Sequence, residues 1–305
     1  MPRLTLLACL SLAAWACAET GRTPGPEASM GATIGECGVA DVGPVAGPAG
    51  GERPGTPGEE PGREAPGGLA FRLNVPAYRL DVVENGIAIR EITVAVGTPD
   101  HPTPISEFEV SRVVWNPWWY PPPFDWAKNE RVTPPGPNNP TGRVKLFFGY
   151  YLFMHGTPDE TSLGHAASHG CVRMANTDAI ALARIVHAHA SPGLAPALLD
   201  SLEANPRRTR TFALETPVPL AIRYDLVEVR GDWIEVHADV YGRGPIVGPA
   251  EALAALERAG VDSQQVDADE LRAALRGASP FTIPVSGILR AWAKESPPDP
   301  HTPDQ

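Results

Sequence analysis

From Leu69 onward the chain is a succession of short apolar, β-branched and aromatic runs broken by turn residues, and this pattern commits it to a mostly β fold. Residues 71–75 and 77–83 read as strands, Glu84-Asn85-Gly86 as a tight turn and 87–96 as the return strand. Residues 108–115 alternate apolar with polar, while 144–148 and 150–154 are apolar and aromatic. Strand pattern returns at 208–214, 218–225 and 233–239. Helical spacing is confined to fewer places. Ile180, Leu182, Ala183, Ile185 and Val186 predict a helix over 177–190, capped by Asn176 or Thr177. Residues 194–204 predict a second helix, 248–277 two short ones and 288–292 a third short one.

The segment before Leu69 is of another kind. Residues 19–67 are rich in Pro, Gly, Glu and Ser/Thr and poor in bulky apolar side chains. Such a segment cannot bury a core, so a disordered tether is expected. Residues 1–18 read as an export signal: Arg3 supplies the charge, 4–14 the apolar stretch, and small residues follow. The stretch is too short to span a bilayer. Two readings of its end compete. Ala14-Trp15-Ala16 before Cys17 can act as a lipobox with Cys17 lipidated, and Ala16-Cys17-Ala18 can act as an ordinary small-x-small cleavage site. A cysteine closing an export signal and followed by a tether favours membrane anchoring through lipidated Cys17. Either reading places the protein in the periplasm or cell envelope. Of the four cysteines, Cys9 leaves with the signal, Cys171 is expected to stay free, and Cys37 has Cys17 as a partner only if Cys17 is neither lipidated nor removed, so few disulfides are expected. A net charge of -11 argues against nucleic acid as a partner.

The chemistry concentrates in the run Ser168-His169-Gly170-Cys171-Val172-Arg173 and in His155-Gly156-Thr157. A thiol is a strong nucleophile only as thiolate, so it needs a base or a cation beside it. If 168–172 is extended, His169 and Cys171 share a face, with Gly170 leaving the backbone open to a ligand. His155 is expected at a strand end, sixteen positions before Cys171. The Gly-, Thr-, Asp- and Ser-rich stretch between them reads as a loop, and a hairpin-like return would set the two side by side. This is a Cys–His nucleophile–base pair, defined by roles and not by order in the chain.

At these residues the chain resembles the L,D-transpeptidase family with its YkuD-type catalytic domain. His155, Ser168, His169, Gly170, Cys171, Val172 and Arg173 fit its signature without a gap. Asn138-Asn139-Pro140-Thr141-Gly142, Phe153-Met154-His155-Gly156-Thr157 and 174–179 resemble family segments, and the likeness runs from about 70 to 240. The resemblance implies a YkuD-like β-sandwich or barrel with peripheral helices over 68–242, plus a small C-terminal helical extension over 243–305. It implies that Cys171 attacks a peptidoglycan stem peptide between the L-centre of its diamino acid and a D-alanine. His155 is then the base, the Gly156 carbonyl orients its ring, and His169, Gly170 and the Cys171 amide line the oxyanion pocket. Ser168 and Arg173 are assigned to substrate, Arg173 because a guanidinium binds carboxylate in bidentate fashion. An amine on a second stem resolves the thioester. No cofactor and no metal are implied.

Other readings use the same residues. A zinc site from His155, His165, His169 and Cys171 has suitable ligand types but lacks paired C-x-x-C spacing. The same pocket could hydrolyse the thioester, or attach or detach a protein on the stem peptide. A non-catalytic cell-wall binding protein is disfavoured by the intact Cys171, His155 and Arg173. His165 reads as a loop residue, and His187 and His189 as surface residues. Trp115, Trp118, Trp119 and Tyr120, before Pro121-Pro122-Pro123, form an aromatic cluster that either covers a sheet face or flanks a groove. The 116–142 stretch around them is an irregular, proline-rich loop, too short for more than a small lid.

Overall fold

A computed structural model describes residues 68–245, 247–277 and 279–290. The expected export signal, Cys17, Cys37 and the 19–67 tether lie outside the described residues, as does everything from 291. No helix among the described residues is long and apolar enough to cross a membrane.

Strand β1 (Leu69–Asn74) pairs antiparallel with β2 (Arg79–Glu84), which turns into β3 (Ile87–Thr93). Asn85 and Gly86 make that turn with φ of 52° and 81°. Two successive positive φ angles give a turn whose twist matches the flanking strands, and Asn and Gly tolerate them best. The short β4 (Val96–Gly97) is followed by β5 (Ser106–Trp115), β6 (Val144–Phe147), β7 (Phe153–Thr157), β8 (Ala166–Ser168) and β9 (Val172–Ala175). Helices α1 (Asn176–Ala190) and α2 (Pro196–Ala204) lead to β10 (Arg210–Arg223).

Eight of these strands form one mixed sheet in the order β3-β2-β1-β10-β5-β6-β7-β9. Just beyond β3, Ala95 and Arg173 of β9 exchange two backbone hydrogen bonds, each 2.9 Å. The two edges of the sheet therefore meet, and it is nearly closed. Closure removes the unpaired edges that an open sheet exposes.

The structure departs from the sequence-based expectation in three places that matter for the site. The stretches 208–214 and 218–225 join into the single strand β10, with a register shift between Ala213 and Val218. The strand expected over 150–154 starts later. Phe148 and Gly149 both donate their amides to the Leu152 carbonyl in a turn, so β7 begins at Phe153 and carries His155 in mid-strand. Finally, β7 and β9 are parallel neighbours, so the return between His155 and Cys171 is a crossover and not a hairpin.

Inward-facing residues of the sheet build the main core. Phe71, Leu73, Leu80, Trp115, Leu146, Met154, Met174 and Leu220 are fully buried, and α1 packs on β6, β7 and β10. Each large apolar side chain so buried contributes roughly 1.5–3 kcal/mol. Trp115 belongs to this core and not to the exposed aromatic cluster. Its indole Nε1 donates to His187 Nε2 at 3.1 Å, and His187 is buried, not on the surface as expected. Burial pushes that imidazole down to about 4, so it stays neutral. His189 is exposed, as expected, and meets Glu84.

The C-terminal segment is mixed in structure and not purely helical. β11 (Val227–Arg230), β12 (Trp233–Val236) and β13 (Phe281–Pro284) form a three-stranded sheet in that order. Helices α3 (Pro249–Arg258) and α4 (Ala268–Ala274) lie between β12 and β13 in sequence, and the short α5 (Val285–Ile288) follows. Val227, Ile234, Val236, Leu256, Leu271 and Ile283 share a second buried cluster. It thus draws on residues well before 243. Of the helix expected at 288–292, Ile288 is the last residue of α5 and Leu289 bridges to Val266, while 291 and 292 lie outside the described residues.

Arg79 ties this small sheet to the large one. Its guanidinium, 8% exposed, meets Glu228 at 2.5 Å, Glu235 at 3.1 Å and Asp81 at 3.5 Å. The hydrogen bond from His237, with Arg79 beside it, overcomes burial and holds Glu228 down to about 2. Removing one partner of such a pair strands the other charge, a loss of about 3–5 kcal/mol. Arg79→Met is therefore expected to lower urea stability at pH 7 by that amount. Glu228 has a depressed folded pKa, so its contribution is present above its ordinary carboxylate range and fades toward pH 2. The deficit of the variant should shrink with it.

Candidate active site

The register of four adjacent strands builds the site. Val114 of β5, Lys145 of β6, His155 of β7 and Arg173 of β9 lie in one row across the sheet. Arg112, Phe147 and Phe153 form the next parallel row. Cys171, one residue before the Val172–Met154 pair, falls beside Phe153. Directly opposed residues share a face and side chains alternate along each strand. Val113, Leu146, Met154 and Val172 therefore point into the core, and the row of Lys145, His155 and Arg173 points away from it. The 116–142 loop covers this face: the Trp118 carbonyl accepts from Lys145 Nζ at 3.3 Å.

His155 is 4% exposed, and its Nδ1 lies 2.7 Å from the carbonyl oxygen of Gly156. A carbonyl only accepts, so Nδ1 carries the proton and Nε2 is left as an acceptor. The carbonyl is itself held by a tight junction. A Cβ on Gly156 would lie 2.3 Å from Asn176 Oδ1, and a Cβ on Gly142 would lie 2.6 Å from the Gly156 oxygen. Gly142 also has φ of +59°. Asn176 Oδ1 accepts from the Arg143 amide at 2.8 Å, and its Nδ2 donates to the Thr157 carbonyl at 3.0 Å. This is why Asn176 does not cap α1, whose N-cap is Ala175.

Cys171 is a free, part-buried cysteine whose thiol donates to the Tyr151 carbonyl at 3.4 Å. Burial pushes the thiol up to about 11, against a backbone hydrogen bond from Phe153 and the charges of Lys145 and Arg173. Burial likewise pushes His155 down to about 3, with Arg173 and Lys145 acting in the same direction. At rest the pair is a neutral thiol and a neutral imidazole. Desolvation opposes both charges.

The segment between β8 and β9 is a turn and not an extended strand. Gly170 has φ of +98°. Ser168 is buried; its hydroxyl donates to the Cys171 carbonyl at 2.5 Å and accepts from the Gly170 amide at 3.2 Å. Its hydroxyl thus forms the turn that presents Cys171. The Gly170 amide is engaged for the same reason. His169 is exposed, stacked on Trp126 with ring centroids 4.0 Å apart and beside His101 at 4.8 Å. Arg173 makes no salt bridge among the described residues and is available to an anion. His165 is exposed and bonds the Leu163 carbonyl. The Cys–His set is not gathered at metal-ligand spacing. Among the described residues that spacing occurs at Glu228, Glu235 and His237, where Arg79 already balances the charge.

Sequence reasoning missed Lys145, Asn176, Gly142 and the Trp126–His169 stack. A lone lysine in the apolar run Val144-Lys145-Leu146-Phe147-Phe148 was the available signal for the first.

Residues 70–219 match the family model of the YkuD L,D-transpeptidase catalytic domain. This stretch is a YkuD-family domain. It covers every site residue named above and ends within β10, so the second, C-terminal cluster lies beyond it. The chain is 29% identical over 133 residues to the Escherichia coli K12 protein named Probable L,D-transpeptidase YbiS, covering 35% of this chain and 44% of that protein. It is 26% identical over 193 residues to Probable L,D-transpeptidase ErfK/SrfK of the same strain, covering 59% and 54%. The match thus spans about half the length of these relatives. Among solved structures, an L,D-transpeptidase from Mycobacterium smegmatis aligns with TM-score 0.33 and 14% identity, covering 52% of this chain and 59% of that one.

Proposed function

We propose that this protein is a peptidoglycan L,D-transpeptidase of the cell envelope, exported by residues 1–18 and anchored through lipidated Cys17. The observation that carries the reading is the placing of Cys171, immediately before β9, next to His155-bearing β7 in a YkuD-family domain, with the Gly156 carbonyl fixing the imidazole so that Nε2 is free to accept a proton. In this reading substrate entry excludes water and His155 takes the thiol proton as sulfur attacks the stem-peptide carbonyl. The C–N bond to D-alanine breaks, and His155 returns the proton to the leaving amine. An acceptor amine then attacks the thioester, and the thiol is released. Incubating the protein with disaccharide-tetrapeptides and weighing the products tests this. A dimer lighter than two substrates by one D-alanine residue plus the water of condensation supports crosslinking. Tripeptide without dimer replaces it with a hydrolase.

Arg173 is the substrate-carboxylate residue of this reading, since its guanidinium shares the row of His155 and has no carboxylate of its own among the described residues. Loss of a charged hydrogen bond costs about 1.5–3 kcal/mol. Arg173→Ala should therefore lower kcat/KM on a stem peptide roughly ten- to hundredfold. Arg173→Lys should recover little, because an ammonium lacks the planar fork. An equal loss of reactivity toward a small thiol reagent would withdraw the recognition role.

A further inference from the structure

Lys145 is a cation in an unusual place. It is 7% exposed, and it makes no salt bridge among the described residues. Its Nζ has one hydrogen-bond acceptor, the Trp118 carbonyl at 3.3 Å, and sits 4.7 Å over the Phe153 ring. An ammonium offers three donors. A carbonyl and a ring face offset only part of the desolvation of a buried charge. Nothing in the main core needs it, because Lys145 points to the opposite face from Leu146 and Val144.

We propose that Lys145 is the positioning cation of the active site, stabilising the Cys171 thiolate, and the oxyanion formed when that thiolate attacks, through space. The register places Lys145 opposite His155 on β7, and Cys171 lies on the far side of Phe153, the ring that Lys145 caps. The charged and titratable groups that face it are Arg112 from β5, His155 from β7, and Cys171 and Arg173 from the β9 side; the covering loop contributes the neutral Trp118 carbonyl. Of these only the thiol can become an anion. Burial lowers the ammonium to about 8 and Arg112 acts in the same direction, while a thiolate at Cys171 acts against both. The thiol in turn is drawn down by Lys145. A thiolate created here therefore finds a fixed counter-charge already in position, with no reorganisation at the moment of attack.

The inference rests on Cys171 being the nucleophile, and the test separates the two. The rate of alkylation of Cys171 by iodoacetamide, read by mass spectrometry of the Cys171 peptide, is followed from about pH 6 to 11 in the full chain. Lys145→Met is expected to lower the rate at each pH in this range by about ten- to a hundredfold, because removal of a neighbouring unit charge shifts the thiol further up. Lys145→Arg should restore it, and Lys145→Gln, which keeps a donor for the Trp118 carbonyl, should not. Should the Met variant fail to fold, the Gln and Arg pair decides the matter alone. A Gln profile that superposes on the wild type, in protein with a wild-type melting temperature, overturns the proposal and leaves Lys145 as a support for the loop. Failure of the wild type to acylate at Cys171 would instead overturn the nucleophile assignment, whatever the pH profiles show.

Discussion

Cys171→Ala is expected to abolish acyl-enzyme formation and to lower turnover of a stem peptide by at least about ten-thousandfold. The expectation follows from the site's construction. The turn held by the Ser168 hydroxyl and the left-handed Gly170 presents this one sulfur against β7, the strand of His155, and near two cations. No other thiol among the described residues can replace it. A carbapenem, whose strained carbonyl acylates thiols, gives a direct readout. Wild type should gain one adduct in its intact mass, located on the Cys171 peptide, and Cys171→Ala should gain none. An adduct that persists in the variant would place the nucleophile elsewhere. The fold should be unaffected, since the side chain is small and part-buried.

His155→Ala is expected to lower the acylation rate by about 10²–10⁴-fold, the usual contribution of a positioned general base. The direction of its effect on the free thiol is informative. With burial holding the thiol up to about 11 and the imidazole down to about 3, the resting enzyme carries no ion pair for His155 to stabilise. Removing the ring should therefore leave the rate of reaction with a small thiol reagent at neutral pH nearly unchanged, while acylation by a β-lactam or stem peptide collapses. His169→Ala should not reproduce that split, because His169 is exposed and its ring is engaged by Trp126 and His101. A collapse in His169→Ala with near-normal acylation in His155→Ala would exchange the two roles. Gly156→Ala is expected to mimic His155→Ala in part, since its Cβ would strike Asn176 and displace the carbonyl that fixes the imidazole.

The sequence carried the strand content and the identity of the reacting pair because both are local signals. Alternation and turn residues mark β1 to β3 directly, and the run around Cys171 is contiguous. What stayed hidden depends on register between distant strands. That β7 and β9 are parallel, so that Lys145, His155 and Arg173 align, is fixed by the closure of the sheet through Ala95 and Arg173. No local pattern encodes that closure. The same holds for His187, which helical spacing leaves on the surface until Trp115 of β5 is brought against it. Asn176 illustrates competition: a good cap by residue type, it is taken instead by the Gly142–Gly156 junction. The balance of charge and burial at the thiol is equally non-local. Residue types suggest a cationic neighbourhood, but only the packed structure shows that burial outweighs it.

The measurement that bears most directly on the account is the intact mass of the enzyme caught with a stem tetrapeptide in the absence of an acceptor. A wild-type species heavier by the tetrapeptide less one D-alanine molecule, carried by Cys171, is expected to accumulate and then to discharge when an amine acceptor is added. No such species is expected in Cys171→Ala, and slowed formation is expected in His155→Ala. Release of D-alanine at the wild-type rate by Cys171→Ala, or a covalent species attached to another residue, would contradict it.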